Sequence, residues 1–311
     1  MKIILITDSL FIFPEHEQQL KDSGYEVVRL DKPEASEDEL CEAVKGKAGY
    51  ILGGIEKVTK RVIDSADSLE AIVFTGIGYK NLIVDWEYAT EKGIAIANTP
   101  DGPTQPVAEW AMTAALVMNR GMFELGIHTG EKTFLTTPGI AGQTIGIIGL
   151  GRIGGRIAEM LQPFKPDKIL YTSAHKHEDK EQMLGLKYTE VNELLENSDI
   201  VFLCVSDEVG HGFFTADNFA NMKKNALLVS FMADGIIDMD GLYKALESGK
   251  IRAISDHSMD DRFNKFNPAT WYSFNASNAF NTNQGLRLTS ARATEALINL
   301  LASGKDEDRV N

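Results

Sequence analysis

Short apolar runs alternate with longer amphipathic stretches along almost the whole chain. The runs are "KIILIT" (2–7), "YEVVRL" (25–30), "GYILGG" (49–54), "EAIVFTG" (70–76) and "GIAIAN" (93–98). They continue with "TIGIIGL" (144–150), "KILYTS" (168–173), "IVFLCV" (200–205), "ALLVSF" (226–231), "IRAISD" (251–256) and "WYSFNA" (271–276). Strands separated by helical segments, rather than paired through tight turns, predict parallel sheets covered by helices. Eleven strands exceed what one mononucleotide-binding half needs, so the pattern predicts two α/β domains, each a doubly wound parallel sheet. The first five strands end by residue 98, and the others begin after 143. Between them the sequence offers Thr104 as an N-cap, Pro106 in the first turn and then a long apolar helix. A second long helix, from about Gln284 to Leu301, closes the chain. Together these helices suggest a chain that leaves the first domain, builds the second and returns.

Composition narrows the picture a little. Over 311 residues, 45 acidic side chains face 31 basic ones, for a formal net charge of −14. That balance argues against nucleic acid or an anionic membrane surface as partner, since both need a basic face. The opening "MKIILITDSLFIF" is broken by Asp8 and reads as a strand rather than a signal peptide. No run reaches the length of a membrane span. A cytoplasmic protein is expected. Cys41 and Cys204, the two cysteines, have no metal-ligand spacing, so no metal is expected, and Cys204 inside "DIVFLCV" reads as a buried, inert thiol.

One segment carries specific chemistry. In "TIGIIGLGRIGGRIAEML", Gly149, Gly151 and Gly154 form a G-x-G-x-x-G directly after an apolar strand and at the start of an amphipathic helix. The first glycine permits the tight turn, the second lets a pyrophosphate approach the backbone, and the third allows close helix–strand packing. The free N–H groups of the helix start then face the anion. Arg152 and Ile153 within the loop, and Val205 and Ser206 at the end of "DIVFLCVS", complete the expected cofactor contacts. The next strand ends at "YTSAHKHED", where a carboxylate that selects NAD ordinarily accepts from the ribose hydroxyls. Here Thr172 takes that place, followed by Ser173, His175 and Lys176. Hydroxyls and positive charge suit a 2′-phosphate, so NADP is expected ahead of NAD. A merely solvated polar loop would carry similar residues.

The chain resembles the D-2-hydroxyacid dehydrogenase family over nearly its whole length. The resemblance rests on "FTGIGYKNLIVDWEYATEKGIAIANTPDGPTQPVAEWAM", "GQTIGIIGLGRIGGRIA" and "NFANMKKNALLVSFMADGIIDMDGLYKALESGKIRAISD", three blocks in the family's order. It implies a Rossmann-type cofactor domain (102–287) inserted in a flavodoxin-like substrate domain (1–101 and 288–311), a small-molecule substrate, and a homodimer formed mainly through the cofactor domain. The family's chemistry uses an Arg that grips the substrate carboxylate, a His that moves the proton, and an acid that orients the His. In this sequence the Arg position holds Ala233, with Asp234 replacing a neighbouring glycine. The His position holds Ser277, or Asn278 if the register slips by one. The orienting acid aligns with Asp261, and Asp256 matches the residue near the nicotinamide carboxamide.

A positioned general acid contributes roughly 10²–10⁴ in rate, and breaking a buried charge-assisted pair costs on the order of 2–5 kcal/mol. Loss of both predicts a poor reductase of ordinary 2-oxo acids. His257, Tyr79 and Lys80 are the remaining candidates for catalytic work, though His257 also reads as a satisfied strand-end histidine and Lys80 as a solvated lysine. Asp234 and Asp261 would make the pocket more acidic and favour a neutral or cationic substrate. The expected function is an NADP-dependent oxidoreductase acting on a carbonyl or imine other than a simple 2-oxo acid. The alternative is a non-catalytic NADP-binding sensor or partner-binding dimer of the same fold.

Overall fold

The computed structural model describes residues 1–7, 12–32, 34–125, 136–206, 209–232, 234–256, 260–273 and 278–311; the side chains of Glu124, Leu125 and Asp234 lie outside the description. The chain divides into two compact units, Met1–Pro103 with Asn281–Asn311, and Thr104–Phe280.

The first unit holds a parallel sheet of β1 (Ile3–Thr7), β2 (Glu26–Leu30), β3 (Gly49–Leu52), β4 (Ala71–Phe74) and β5 (Ala95–Asn98), in the order β2-β1-β3-β4-β5. Successive side chains on a strand point to opposite faces. Ile4, Ile6, Ile51, Val73 and Ala97 therefore fill one core, while Leu5, Tyr50, Leu52, Ile72 and Ile96 fill the other. Burial on both faces explains why these strands read as continuous apolar runs. The helix Asn283–Ser303 lies within this unit and packs Ala293, Ala296, Leu297 and Leu300 against the first core.

The second unit is a seven-stranded parallel sheet. Its strands are β6 (Thr144–Ile148), β7 (Lys168–Thr172), β8 (Leu186–Tyr188), β9 (Ile200–Leu203), β10 (Ala226–Ser230), β11 (Ile251–Ser255) and β12 (Trp271–Ser273). The order is β12-β11-β10-β9-β6-β7-β8, with the direction of winding reversing at β6. Ile145, Ile147, Phe202 and Val229 pack on one face, and Ile148, Val201, Leu203 and Leu228 on the other.

Two sequence expectations change. β8 is a three-residue edge strand in which Leu186 is buried and Lys187 exposed, too short and mixed to register as an apolar run. The long helix begins at Asp101, not after a Thr104 cap, and takes Pro106 into its interior. A tertiary contact accounts for the early start. A Cβ at Gly102 would lie 2.0 Å from the Thr289 hydroxyl oxygen, so this turn is pressed directly onto the helix Asn283–Ser303. Pro103 is tolerated because N–H groups in a first turn have no intrahelical partner. Among the described residues, no helix is long and apolar enough to cross a membrane.

Candidate cofactor site

In open parallel sheets ligands bind beyond the carboxyl ends of the strands, where the winding direction reverses. In the second unit that point is the end of β6. Register brings three strand ends level there, with Ile148 opposite both Thr172 of β7 and Leu203 of β9. The next residues are cross-linked through backbone: Gly149 N–H donates to the Thr172 carbonyl at 2.8 Å, and Cys204 N–H to the Ile148 carbonyl at 2.7 Å. Gly149, Thr172 and Cys204–Val205 thus form one rim.

The three glycines of the loop differ in what they require. Gly149 has φ +96°, and a Cβ there would sit 2.5 Å from the Cys204 carbonyl oxygen. A Cβ on Gly154 would lie 2.0 Å from the Gly149 carbonyl oxygen, so the loop closes onto the first turn of its own helix, Arg152–Leu161. Gly151 has nothing within 4 Å of its Cβ position and caps that helix without a side-chain hydrogen bond. This openness leaves room for a ligand to approach the backbone at the helix start, where an anion is favoured. Two glycines are demanded by packing and one by approach from outside, which fits a dinucleotide pyrophosphate.

Arg152 is exposed and Ile153 half-buried on the first turn, while Val205 is half-buried and Ser206 exposed beyond β9. Thr172 is half-buried and is tied to Gly149 by its carbonyl; no carboxylate occupies its place. Ser173 donates its hydroxyl to the His175 carbonyl, so this group is partly committed within the loop. His175 is exposed. Lys176 lies with Nζ 4.9 Å from the centre of the Tyr188 ring, folded over an aromatic face rather than extended.

What shapes this loop is a residue that the sequence did not single out. The fully buried Tyr171 donates its hydroxyl to Glu181 Oε1 at 2.6 Å and accepts the His177 N–H at 2.9 Å. Burial, and then the Glu181 acceptor, raise the Tyr171 pKa above the ordinary phenol range. A neutral Tyr171 therefore clamps both ends of the loop at neutral pH. Cys204 is half-buried rather than fully enclosed, and desolvation pushes its thiol well up.

The candidates for catalysis fare differently. Ala233, His257 and Ser277 lie outside the described residues, as does the Asp234 side chain. Asp256 is 1% exposed, and its carboxylate accepts the backbone N–H groups of Asn278 (3.0 and 3.1 Å) and Ala279 (2.9 Å). It anchors the segment that begins at Asn278. Asp261 has a surface setting in the turn Asp261–Lys265 and accepts from Asn264 Nδ2 at 3.3 Å. Its carboxylate is exposed, and its part as an orienting acid stays an expectation from the family alignment. Asp260 caps this turn through the Arg262 N–H and side chain.

In the first unit, Tyr79 and Lys80 occupy a turn beyond β4. Tyr79 meets Trp86 edge-on at 6.3 Å, and Lys80 Nζ lies 5.0 Å from the centre of the Trp86 ring. Among the described residues no group of three His, Cys, Asp or Glu side chains is placed to hold a metal. A cavity of about 340 Å³ opens in the second unit between Asn119, Gln143, Asp199, Asn225 and Arg252. Gln143, Asp199 and Asn225 lie at the amino ends of β6, β9 and β10, Asn119 at the end of the helix Asp101–Asn119 and Arg252 in β11, away from the glycine loop, which is the candidate for the cofactor.

Comparison with known proteins agrees with this placement. Residues 112–273 match the family model of the NAD-binding domain of D-isomer-specific 2-hydroxyacid dehydrogenases. A protein of Staphylococcus haemolyticus named as a 2-hydroxyacid dehydrogenase is 35% identical over 68% of this chain and 68% of its own length. A D-3-phosphoglycerate dehydrogenase of Methanocaldococcus jannaschii is 34% identical over 85% of this chain, a match spanning half of that relative. Among solved structures, an acyclic imino acid reductase in complex with NADPH and D-Arg superposes with a TM-score of 0.84 at 20% identity, covering all of both chains. With its glycine loop, its reversal point at β6 and these matches, the chain belongs to the D-2-hydroxyacid dehydrogenase family of NAD(P)-dependent oxidoreductases.

Proposed function

We propose that this protein is an NADP-dependent reductase whose substrate is a carbonyl or imine compound other than a simple 2-oxo acid. The observation that carries the cofactor choice is Thr172. It stands at the end of β7, bonded through its carbonyl to Gly149, where a carboxylate would repel a 2′-phosphate. Gly149, Gly151, Arg152, Ile153 and Gly154 would hold the pyrophosphate, and Thr172, Ser173, His175 and Lys176 would line the ribose side. Val205, Ser206 and Asp256 would border the nicotinamide half. When bound, the nicotinamide supplies the hydride; the chain's own residues bind and orient it.

The substrate half of the reading rests on sequence. On the family alignment Ala233 takes the place of the residue that would grip a carboxylate, and Ser277, or Asn278 in the shifted register, that of the residue that would move a proton. His257, Tyr79, an ordered water or the substrate itself then provides the proton. That the same fold serves an imino acid reductase solved with NADPH and D-Arg supports an imine or amine-bearing substrate. The phosphoglycerate dehydrogenase among the relatives favours an anion instead. The family's homodimer belongs to the same proposal and is tested by sedimentation. NADPH oxidation across a panel of aldehydes, ketones, imines and 2-oxo acids tests the function. Turnover on carbonyls or imines but not on 2-oxo acids is expected; silence across the whole panel, with NADPH still bound, would favour a non-catalytic NADP-binding dimer.

A further inference from the structure

The helix Arg152–Leu161 begins with two adjacent glycines after Ile153, and only the first is explained by the loop. Gly155 is also buried, and a Cβ there would meet Lys180 Nζ at 2.8 Å, with Lys180 Cε and Cδ at 3.7 and 4.0 Å. The bare backbone of Gly155 is thus a slot along which the end of the Lys180 side chain lies. Lys180 stands in the first turn of the helix Glu178–Leu184, immediately after the β7 loop. Its ammonium donates to the Leu150 carbonyl at 3.4 Å, which places it against the glycine loop itself.

Three features make this cation more than a solvated lysine. It is half-buried, so its stem is held by packing. Among the described residues no carboxylate lies within ion-pair distance of it, although Glu178 and Asp179 are its neighbours. Among the described residues its single hydrogen bond, to Leu150, leaves ammonium protons uncommitted. By contrast, Lys176 is folded over Tyr188. The ammonium of Lys180 sits between the loop that would hold the pyrophosphate and the helix that follows the end of β7, the interval where a dinucleotide fold seats the adenosine ribose.

The geometry points to Lys180, seated in the Gly155 slot, as the residue that reads the 2′-phosphate of NADP, with Lys176 secondary to it. This assignment rests on the NADP reading given above and names the residue that enforces it. The chemistry is that of a charge-assisted hydrogen bond from an ammonium to a phosphate oxygen.

Calorimetric titration of the full chain with NADPH and NADH, at one fixed ionic strength, tests it. In Lys180→Met, NADPH affinity should fall by about tenfold, the scale of one charge-assisted contact, with NADH affinity within about twofold of the unsubstituted protein. Gly155→Ala should give the same selective loss, because its methyl group displaces the ammonium, while Lys176→Ala should lower the ratio by less than Lys180→Met does. Melting without nucleotide checks that each variant is folded. If the unsubstituted protein prefers NADPH and Lys180→Met keeps that preference, the assignment fails and the NADP reading stands. Equal weakening of both nucleotides makes Lys180 a stitch between helices and also overturns the assignment. No preference in the unsubstituted protein would sink the NADP reading, and the assignment with it.

Discussion

Both units carry a glycine turn beyond the carboxyl end of a parallel strand, yet the two turns are built on different principles. The turn after β6 is fixed by backbone: Gly149 at positive φ against the Cys204 carbonyl, Gly154 against the Gly149 carbonyl, and Gly151 open. The turn after β4 is fixed by backbone and side chains together. Thr99 N–H reaches the Gly76 carbonyl at 3.0 Å, Asn98 Nδ2 reaches the Ile77 carbonyl at 2.9 Å, and Lys80 covers the Trp86 ring. A site made of backbone tolerates almost no change in sequence and keeps its motif. A site made of side chains can exchange every chemical group while its turn survives.

The largest expected effect separates two glycines in the first of these turns. Gly154→Ala forces a methyl group onto a backbone oxygen, which cannot rotate away. It should destabilise the cofactor unit by about 2 kcal/mol or more, lowering Tm by several degrees, and abolish nucleotide binding. Gly151→Ala should leave the melting of the nucleotide-free protein unchanged and weaken NADPH and NADH alike. Similar melting curves for the two variants would break the distinction between packing and approach.

Next comes the proposed substrate chemistry. If the family alignment holds, pyruvate, glyoxylate and hydroxypyruvate should be reduced at well under about 1 s⁻¹, an ordinary enzymatic value, because Ala233 cannot grip a carboxylate and neither Ser277 nor Asn278, its alternative in the shifted register, can donate a proton at neutral pH as a His does. Steady-state turnover above that rate on any of the three would contradict the account of those positions.

A smaller effect is expected from restoring the missing carboxylate. Thr172→Asp should move the nucleotide preference toward NADH by about tenfold, or 1.4 kcal/mol, through repulsion of the 2′-phosphate. Fluorescence titration with both nucleotides reads this directly. An unchanged ratio would show that position 172 does not face the ribose.

The smallest effect concerns the second turn. Lys80→Ala removes, among its contacts, a cation–π interaction with Trp86 worth about 0.5–1 kcal/mol, so the shift in thermal melting should be at least that small amount. Oxamate and oxalate should bind weakly to the NADPH-loaded protein, with or without this substitution. Tight oxamate binding that Lys80→Ala abolishes would restore an anion site to the first unit and remove the case for a neutral or cationic substrate.

How much of this was legible follows the same line. Strands buried on both faces announce themselves, and the glycine loop did so because backbone geometry constrains residue type. The start of the helix at Asp101 was not legible, since it depends on Gly102 meeting Thr289, nearly two hundred positions away. β8 escaped because an edge strand buries only one side chain. Asp260 capping the turn with Asp261 at the surface was not legible either, because the cap depends on the local backbone. Lys180 gave no signal, because a lysine in "EDKEQML" reads as a solvated helix face until Gly155 is seen to make room for it. Tyr171 was hidden in the same way, as one more apolar position in a strand until its hydroxyl is found holding the loop.

The most direct test of the account is the affinity of the unsubstituted protein for NADPH and NADH, measured by calorimetric titration in one buffer at one salt concentration. NADPH should bind at least tenfold tighter, a difference of about 1.4 kcal/mol. Equal affinities, or tighter binding of NADH, would contradict it.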